Sequence, residues 1–121
     1  MPNPFIHIEL STSDVDKAKS FYGSLFDWKL KDEQMGPDMT YTMVSVGEGT
    51  GGGMMKQMMP GAPSAWLPYV DVSDIKASVQ KVTTLGGKVV RDVMEVMDAG
   101  YIAIITDPTG AYLGLWQTKA K

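Results

Sequence analysis

The chain has 121 residues and a mass of 13.2 kDa, with 44% hydrophobic and 21% charged residues, and a mean hydropathy of −0.08. That is enough for one globular domain, or for two small halves sharing a core, without covalent staples. It has no cysteine, one histidine (His7), one arginine (Arg91) and a net charge of −3. These counts exclude a disulfide framework, a thiolate metal site, a cysteine nucleophile and any scheme needing two histidines from one chain. They also argue against a nucleic-acid partner, which calls for clustered Lys and Arg. No stretch approaches the 18 apolar residues of a membrane span, and the opening Met1-Pro2-Asn3-Pro4-Phe5 lacks the regions of a signal peptide. The expectation is a cytoplasmic protein with no membrane partner.

The first element in chain order is a strand over Ile6 to Leu10, with Ile6, Ile8 and Leu10 on one face and His7 and Glu9 on the other. A helix follows. Ser13 is its expected N-cap, and Val15, Ala18, Tyr22 and Leu25 form its apolar stripe. Three strand-like runs come next, from Trp28 onward, over Tyr41 to Val46, and over Gly52 to Gln57. They are separated by the turns Gly36-Pro37-Asp38 and Gly47-Glu48-Gly49. The glycines Gly51, Gly52 and Gly53 match no phosphate loop and are expected to allow sheet curvature or close approach of another backbone. Met54, Met55, Met58 and Met59 run from that strand into the linker Met59 to Ser64, which contains Pro60 and Pro63.

The same order then repeats. A strand over Trp66 to Val72 precedes a helix capped by Ser73, with Ile75, Val79, Val82 and Leu85 as its stripe and Gly86-Gly87 as its stop. Strand runs over Lys88 to Val96, Tyr101 to Thr106 and Ala111 to Gln117 follow, with Asp98-Ala99-Gly100 and Asp107-Pro108-Thr109-Gly110 as turns. Ser13-Asp14-Val15 lies over Ser73-Asp74-Ile75, Tyr41 over Tyr101 and Met55 over Leu115, so the repeat reads as gapless at an offset of 60 residues. The expected fold is α+β: two tandem βαβββ modules, residues 1–58 and 65–121 of a single domain, whose curved mixed sheets enclose a cleft.

Several motifs carry a family resemblance: His7-Ile8-Glu9-Leu10, Asp14 to Ala18, Phe21-Tyr22 with Leu25 to Trp28, Tyr69 to Asp74, Leu85 to Lys88, and Asp107 to Trp116. Together they resemble the vicinal oxygen chelate superfamily, which includes glyoxalase I, bleomycin-resistance proteins and extradiol dioxygenases. The resemblance implies homodimers, and a divalent metal held by His and Glu on the first and last strands of each half. Mapped onto this chain, the four positions are His7, Met54, Leu67 and Gly114, of which only His7 is a donor to such an ion. The resemblance thus implies a degenerate metal site, no expected cofactor, and a divalent metal as the family alternative.

Alternation places His7, Glu9, Met54, Lys56, Leu67, Tyr69, Tyr112, Gly114 and Trp116 on the cleft face. That mixture suits a small organic ligand with a planar part and polar anchors. The same aromatics equally suit an interface core. Two functions follow. One is a small-molecule-binding protein, as in the bleomycin-sequestering branch. The other is a lyase, isomerase or dioxygenase of glyoxalase type, using a metal or Glu9 and His7 as acid–base groups.

Overall fold

The computed structural model describes residues 3–37, 39–57, 61–96 and 98–119. Met58, Met59 and Pro60, and with them half of the methionine cluster and the start of the linker, lie outside the described residues, as does Asp38. The chain is an α+β protein with the element order β1 (Phe5–Thr12), α1 (Val15–Leu25), β2 (Lys29–Gly36), β3 (Met39–Ser45), β4 (Gly52–Lys56), β5 (Ala65–Asp71), α2 (Ile75–Thr84), β6 (Lys88–Val96), β7 (Gly100–Thr106), β8 (Tyr112–Thr118). Two compact units form, one of His7–Leu67 and one joining the segment up to Ile6 with the segment from Pro68 onward.

In the His7–Leu67 unit the strand order is β2-β3-β4-β1, with β1 parallel to β4 and the other pairs antiparallel. The other unit repeats this plan as β6-β7-β8-β5, with β5 parallel to β8. Each helix covers one face of its own sheet. Leu10, Val44 and Met54 form the first core, packed on by Val15, Ala18, Tyr22 and Leu30. Ile75, Ala103 and Leu115 form the second, with Val79 and Ile105 against it. Burying such a side chain contributes about 1.5–3 kcal/mol, which is why the apolar parity of each strand fixes the face it buries. Leu25 and Leu85, expected in the helix stripes, are instead 56% and 72% exposed. Both sit at the last turn or cap, where the helix has already left the sheet.

The helix caps fall one residue later than expected. Asp14 Oδ1 accepts from Lys17 N at 3.1 Å and Asp74 Oδ1 accepts from Ala77 N at 3.1 Å, so aspartates rather than Ser13 and Ser73 cap the two helices. A carboxylate also complements the positive end of the helix dipole, an advantage the serine hydroxyl lacks. The glycine stop of α2 is as read. Gly86 has φ 93°, its N–H donates to Thr83 O at 3.2 Å, and Gly87 N–H donates to Val82 O at 2.8 Å.

The internal repeat contains a slip. Leu10 stands opposite Met54, but Val70, which lies 60 residues after Leu10, stands opposite Leu115, which lies 61 residues after Met54. Likewise Thr42 pairs with Met54 where Ala103 pairs with Leu115. β6 has two register shifts against β7, between Val89 and Arg91 and between Arg91 and Met94, where β2 has one against β3, between Gln34 and Gly36. Each bulge adds a residue to one strand with only a local break in the ladder, so an offset read across unequal numbers of bulges slips. Tyr41 and Tyr101 are therefore not equivalent. Tyr101 packs on the helix-side core, whereas Tyr41 faces away from it.

Candidate functional site: a tyrosine-bridged acid–base pair

Because side chains alternate along a strand, each sheet has one face against its helix and one turned away from it, called the open face below. In the His7–Leu67 unit the open face carries His7 and Glu9 from β1, Gly53 and Met55 from β4, and Tyr41 and Met43 from β3, as the registers Glu9 to Gly53 and Met43 to Gly53 require. At its centre is a three-residue chain. The Tyr41 hydroxyl donates to Glu9 Oε2 at 3.0 Å and lies 2.7 Å from His7 Nε2. The imidazole and phenol rings are near-parallel, 21° apart with centroids at 6.2 Å. Tyr41 is only 9% exposed. Its ring lies over Gly53, where a Cβ would overlap the phenol, so the glycine makes room for the tyrosine. Half-burial costs the imidazolium its hydration and holds the His7 pKa below its ordinary 6.5.

Met54 is not part of this face. It is fully buried in the helix-side core with Leu10 and Val44, opposite in parity to His7 and Glu9. Lys56 follows Met54's parity, stands opposite Thr12 and is exposed. The expectation that placed both beside His7 fails through the slip described above, because a one-residue shift moves every side chain to the other face. The residue in the position equivalent to Gly114 is Gly53. Tyr41 is the candidate-site residue that sequence reasoning missed. Its signal was the apolar alternation of Val44 and Val46, which turns Tyr41 and Met43 outward together.

In the other unit, Tyr69, Gly114, Trp116 and Tyr112 share the face opposite to that of Leu115, which packs under α2. The Tyr69 ring is buried over Gly114, where a Cβ would overlap it. Trp116 is half-buried and its Nε1–H donates to Thr118 Oγ1 at 3.0 Å, while Tyr112 is 62% exposed. Leu67 is half-buried in β5. A separate apolar hollow of about 170 Å³ sits on the helix side of the His7–Leu67 unit, between Trp28, Val44, Val46, Gly52 and Trp66. No titratable side chain lines it, so it has no acid–base chemistry to offer.

These residues do not suit a divalent ion. His7 Nε2 is engaged with the Tyr41 hydroxyl. Gly53 and Gly114 offer no donor, and tyrosine rings occupy the space that a longer side chain there would need. Among the described residues no group of three His, Cys, Asp or Glu side chains comes together. Nor is any helix among them long and apolar enough to cross a membrane.

A βαβββ repeat with open sheet faces defines a recognisable class. The sequence profile of the Glyoxalase/Bleomycin resistance protein/Dioxygenase superfamily matches residues 5–115, and the chain belongs to that superfamily. Among curated relatives, it is 40% identical over 117 residues to "Putative glyoxylase CFP32" of Mycobacterium bovis, covering 93% of this chain and 44% of that protein. It is 27% identical over 125 residues to "Anthracycline biosynthesis protein DauV" of Streptomyces sp. strain C5, covering 90% of this chain and 45% of that protein. The chain thus spans about half the length of these relatives. Among solved structures, methylmalonyl-CoA epimerase from Mycobacterium tuberculosis has the same fold, with a TM-score of 0.71 at 16% identity over 96% of this chain and 88% of that one.

Proposed function

We propose that this chain binds a small organic molecule on the open sheet face of the His7–Leu67 unit, without a resident divalent metal, and that it works as a homodimer. The observation that carries this reading is the Glu9–Tyr41–His7 chain itself. It sets a hydrogen-bonded polar anchor among Met43, Met55 and Gly53. Polar anchors on an apolar surface are what a small-molecule site needs to fix a ligand's orientation. Trp116 and Tyr112 give the other unit's open face flat aromatic surface of the same use. Dimerisation is supported by the large side chains left partly in solvent, among them Phe21, Phe26 and Trp66, which a second copy would cover.

Elemental analysis of purified protein and calorimetric titration with zinc and nickel test the first part. Substoichiometric metal and affinity weaker than millimolar are expected, and one tightly bound ion per chain would overturn it. Sedimentation at micromolar concentration tests the second part, and a single species near 13.2 kDa would overturn it.

A second reading, acid–base catalysis, is favoured by the same chain, since it links a carboxylate to a neutral imidazole through a phenol. Methylmalonyl-CoA epimerases share the fold. Incubation with methylmalonyl-CoA and with 2-oxoaldehyde–thiol adducts in deuterated water tests this reading. Deuterium incorporation that disappears in Glu9→Gln would establish it, and no incorporation would leave the binding reading.

A further inference from the structure

In the unit built on β5 to β8, the open face carries two cations beside apolar and aromatic side chains. Residues that stand opposite each other on neighbouring strands share a face, so the registers sort these side chains into rows. One row runs from Arg91 through Ile104 and Gly114 to Tyr69, and the next from Met94 through Ile102 to Trp116. Lys88 begins a third row, with Thr106 and Tyr112. Arg91 owes its place to the bulges on either side of it. Plain alternation would give it the parity of Val89 and Val93, and Val93 packs against the core under α2. Bulges re-aim side chains in this way, and here the re-aimed residue is the one arginine of the sequence.

The guanidinium has little to balance its charge. Arg91 is half-buried, and its Nη1 donates to Met94 Sδ at 3.5 Å, a weak acceptor without charge. Among the described residues Arg91 enters no ion pair. The neighbouring Asp92 carboxylate accepts from Val93 N at 2.7 Å instead. Asp71 stands opposite Trp116 on the same face, but β7 and β8 lie between β5 and β6. That separation is about 14 Å at about 4.8 Å per strand. Lys88 is exposed one row from Arg91, about 7 Å along β6, so the edge of this face is positive in a chain of net charge −3.

We propose that this face binds a planar organic carboxylate. Arg91 pairs with the carboxylate, Lys88 adds positive potential, and the half-buried Ile102, Ile104 and Trp116 receive the ring. A guanidinium fork fits both oxygens of a carboxylate, and an apolar surround strengthens the pairing. The indole supplies flat surface for a ring. This inference rests on the reading that open faces bind small molecules, but it draws on this unit alone, so Glu9, Tyr41 and His7 take no part.

The probes are 2-naphthoate and its neutral counterpart 2-naphthamide, each titrated into ¹⁵N-labelled protein and followed by amide shifts. Naphthoate is expected to bind about 10-fold more tightly than naphthamide, since its hydrogen bonds to Arg91 are charge-assisted. It should move amides of β6, β7 and β8, and weaken several-fold as salt rises from about 0.05 M to about 0.5 M. Arg91→Gln should bring naphthoate down to the affinity of naphthamide and leave naphthamide unchanged. Arg91→Lys keeps the charge but loses the fork, and should fall between. Equal affinity for the acid and the amide would overturn the proposal, as would unchanged naphthoate affinity in Arg91→Gln or shifts nowhere. Shifts confined to β1, β3 and β4 would overturn it too, while leaving the reading of the His7–Leu67 face standing. The comparison of acid with amide uses the unaltered chain, so it decides the matter even if a variant does not fold.

Discussion

Placing Glu at position 54 gives a test of which face each β4 residue occupies. Met54 is 0% exposed and surrounded by Leu10, Val44 and the underside of α1. Met54→Glu removes a packed thioether stem at a cost of about 2 kcal/mol, the low end for a buried large-to-small change because Glu keeps part of the stem. A neutral carboxyl without a partner there adds about 1–3 kcal/mol. Burial raises the folded-state pKa of such a group by about 3–5 units above its unfolded value near 4.3. Ionisation at pH 8 therefore costs a further 4–5 kcal/mol or so, at about 1.4 kcal/mol per unit. The sign follows from the raised pKa. The variant's remaining stability is fully present below the unfolded pKa and is lost as pH rises toward the folded one. The expected deficit is about 3–5 kcal/mol at pH 4 and about 7–10 kcal/mol at pH 8, enough to unfold a domain of ordinary stability.

Urea denaturation of Met54→Glu at both pH values, with Met55→Glu as control, measures this. Met55 lies on the open face, half-buried opposite Ser11, and its substitution should cost about 1 kcal/mol or less with little pH dependence. If the two variants behave alike, or if Met54→Glu is stable and gains zinc affinity, then Met54 faces the open side and the assignment of faces is wrong.

Three further outcomes are expected. Gly52→Ala should be more damaging than Gly53→Ala in thermal melts, because the added Cβ meets the backbone carbonyl of Ile8 in the first and the side chain of Tyr41 in the second; a ring can yield where a β-ladder cannot. Asp14→Ala and Asp74→Ala should each lose about 0.5–2 kcal/mol by chemical denaturation, while Ser13→Ala should lose less, reflecting which residue caps each helix. Asp107 accepts from Thr109 Oγ1 at 2.6 Å, Thr109 N at 2.8 Å and Ala111 N at 3.1 Å, and these bonds hold its carboxyl below its ordinary 3.8. Its stabilising contribution is therefore present above pH 3.8 and lost as pH falls below it, so Asp107→Asn should flatten the acid limb of a stability–pH curve.

Much of this protein is legible along the chain because its signals are local. Alternation in Ile6 to Leu10 and in Tyr112 to Trp116 separates an apolar face from a polar or aromatic one, and each needs only its own strand. The Gly86-Gly87 stop and the Asp107 to Gly110 turn depend on φ and on bonds within a few residues, so sequence alone is sufficient. The repeated element order, and through it the superfamily, comes from the same short-range patterns taken twice.

What escaped the sequence depends on register between strands. Gly53 stands beside Glu9 through the β1–β4 register, and an offset of 60 carried over from Gly114 misses it by one, since β6 has two irregularities against β7 where β2 has one against β3. In a run such as Gly51 to Met55 the pattern is weak, since glycine fits either face and methionine is at home in a core or on a ligand surface. Only pairing with Leu10 and Thr42 assigns Met54 to the core. Tyr41 joins His7 and Glu9 across 34 and 32 residues of sequence. No spacing rule predicts that meeting. It is made by β4 lying between β1 and β3 with a glycine at the crossing point, so that a phenol can reach over one strand to the next.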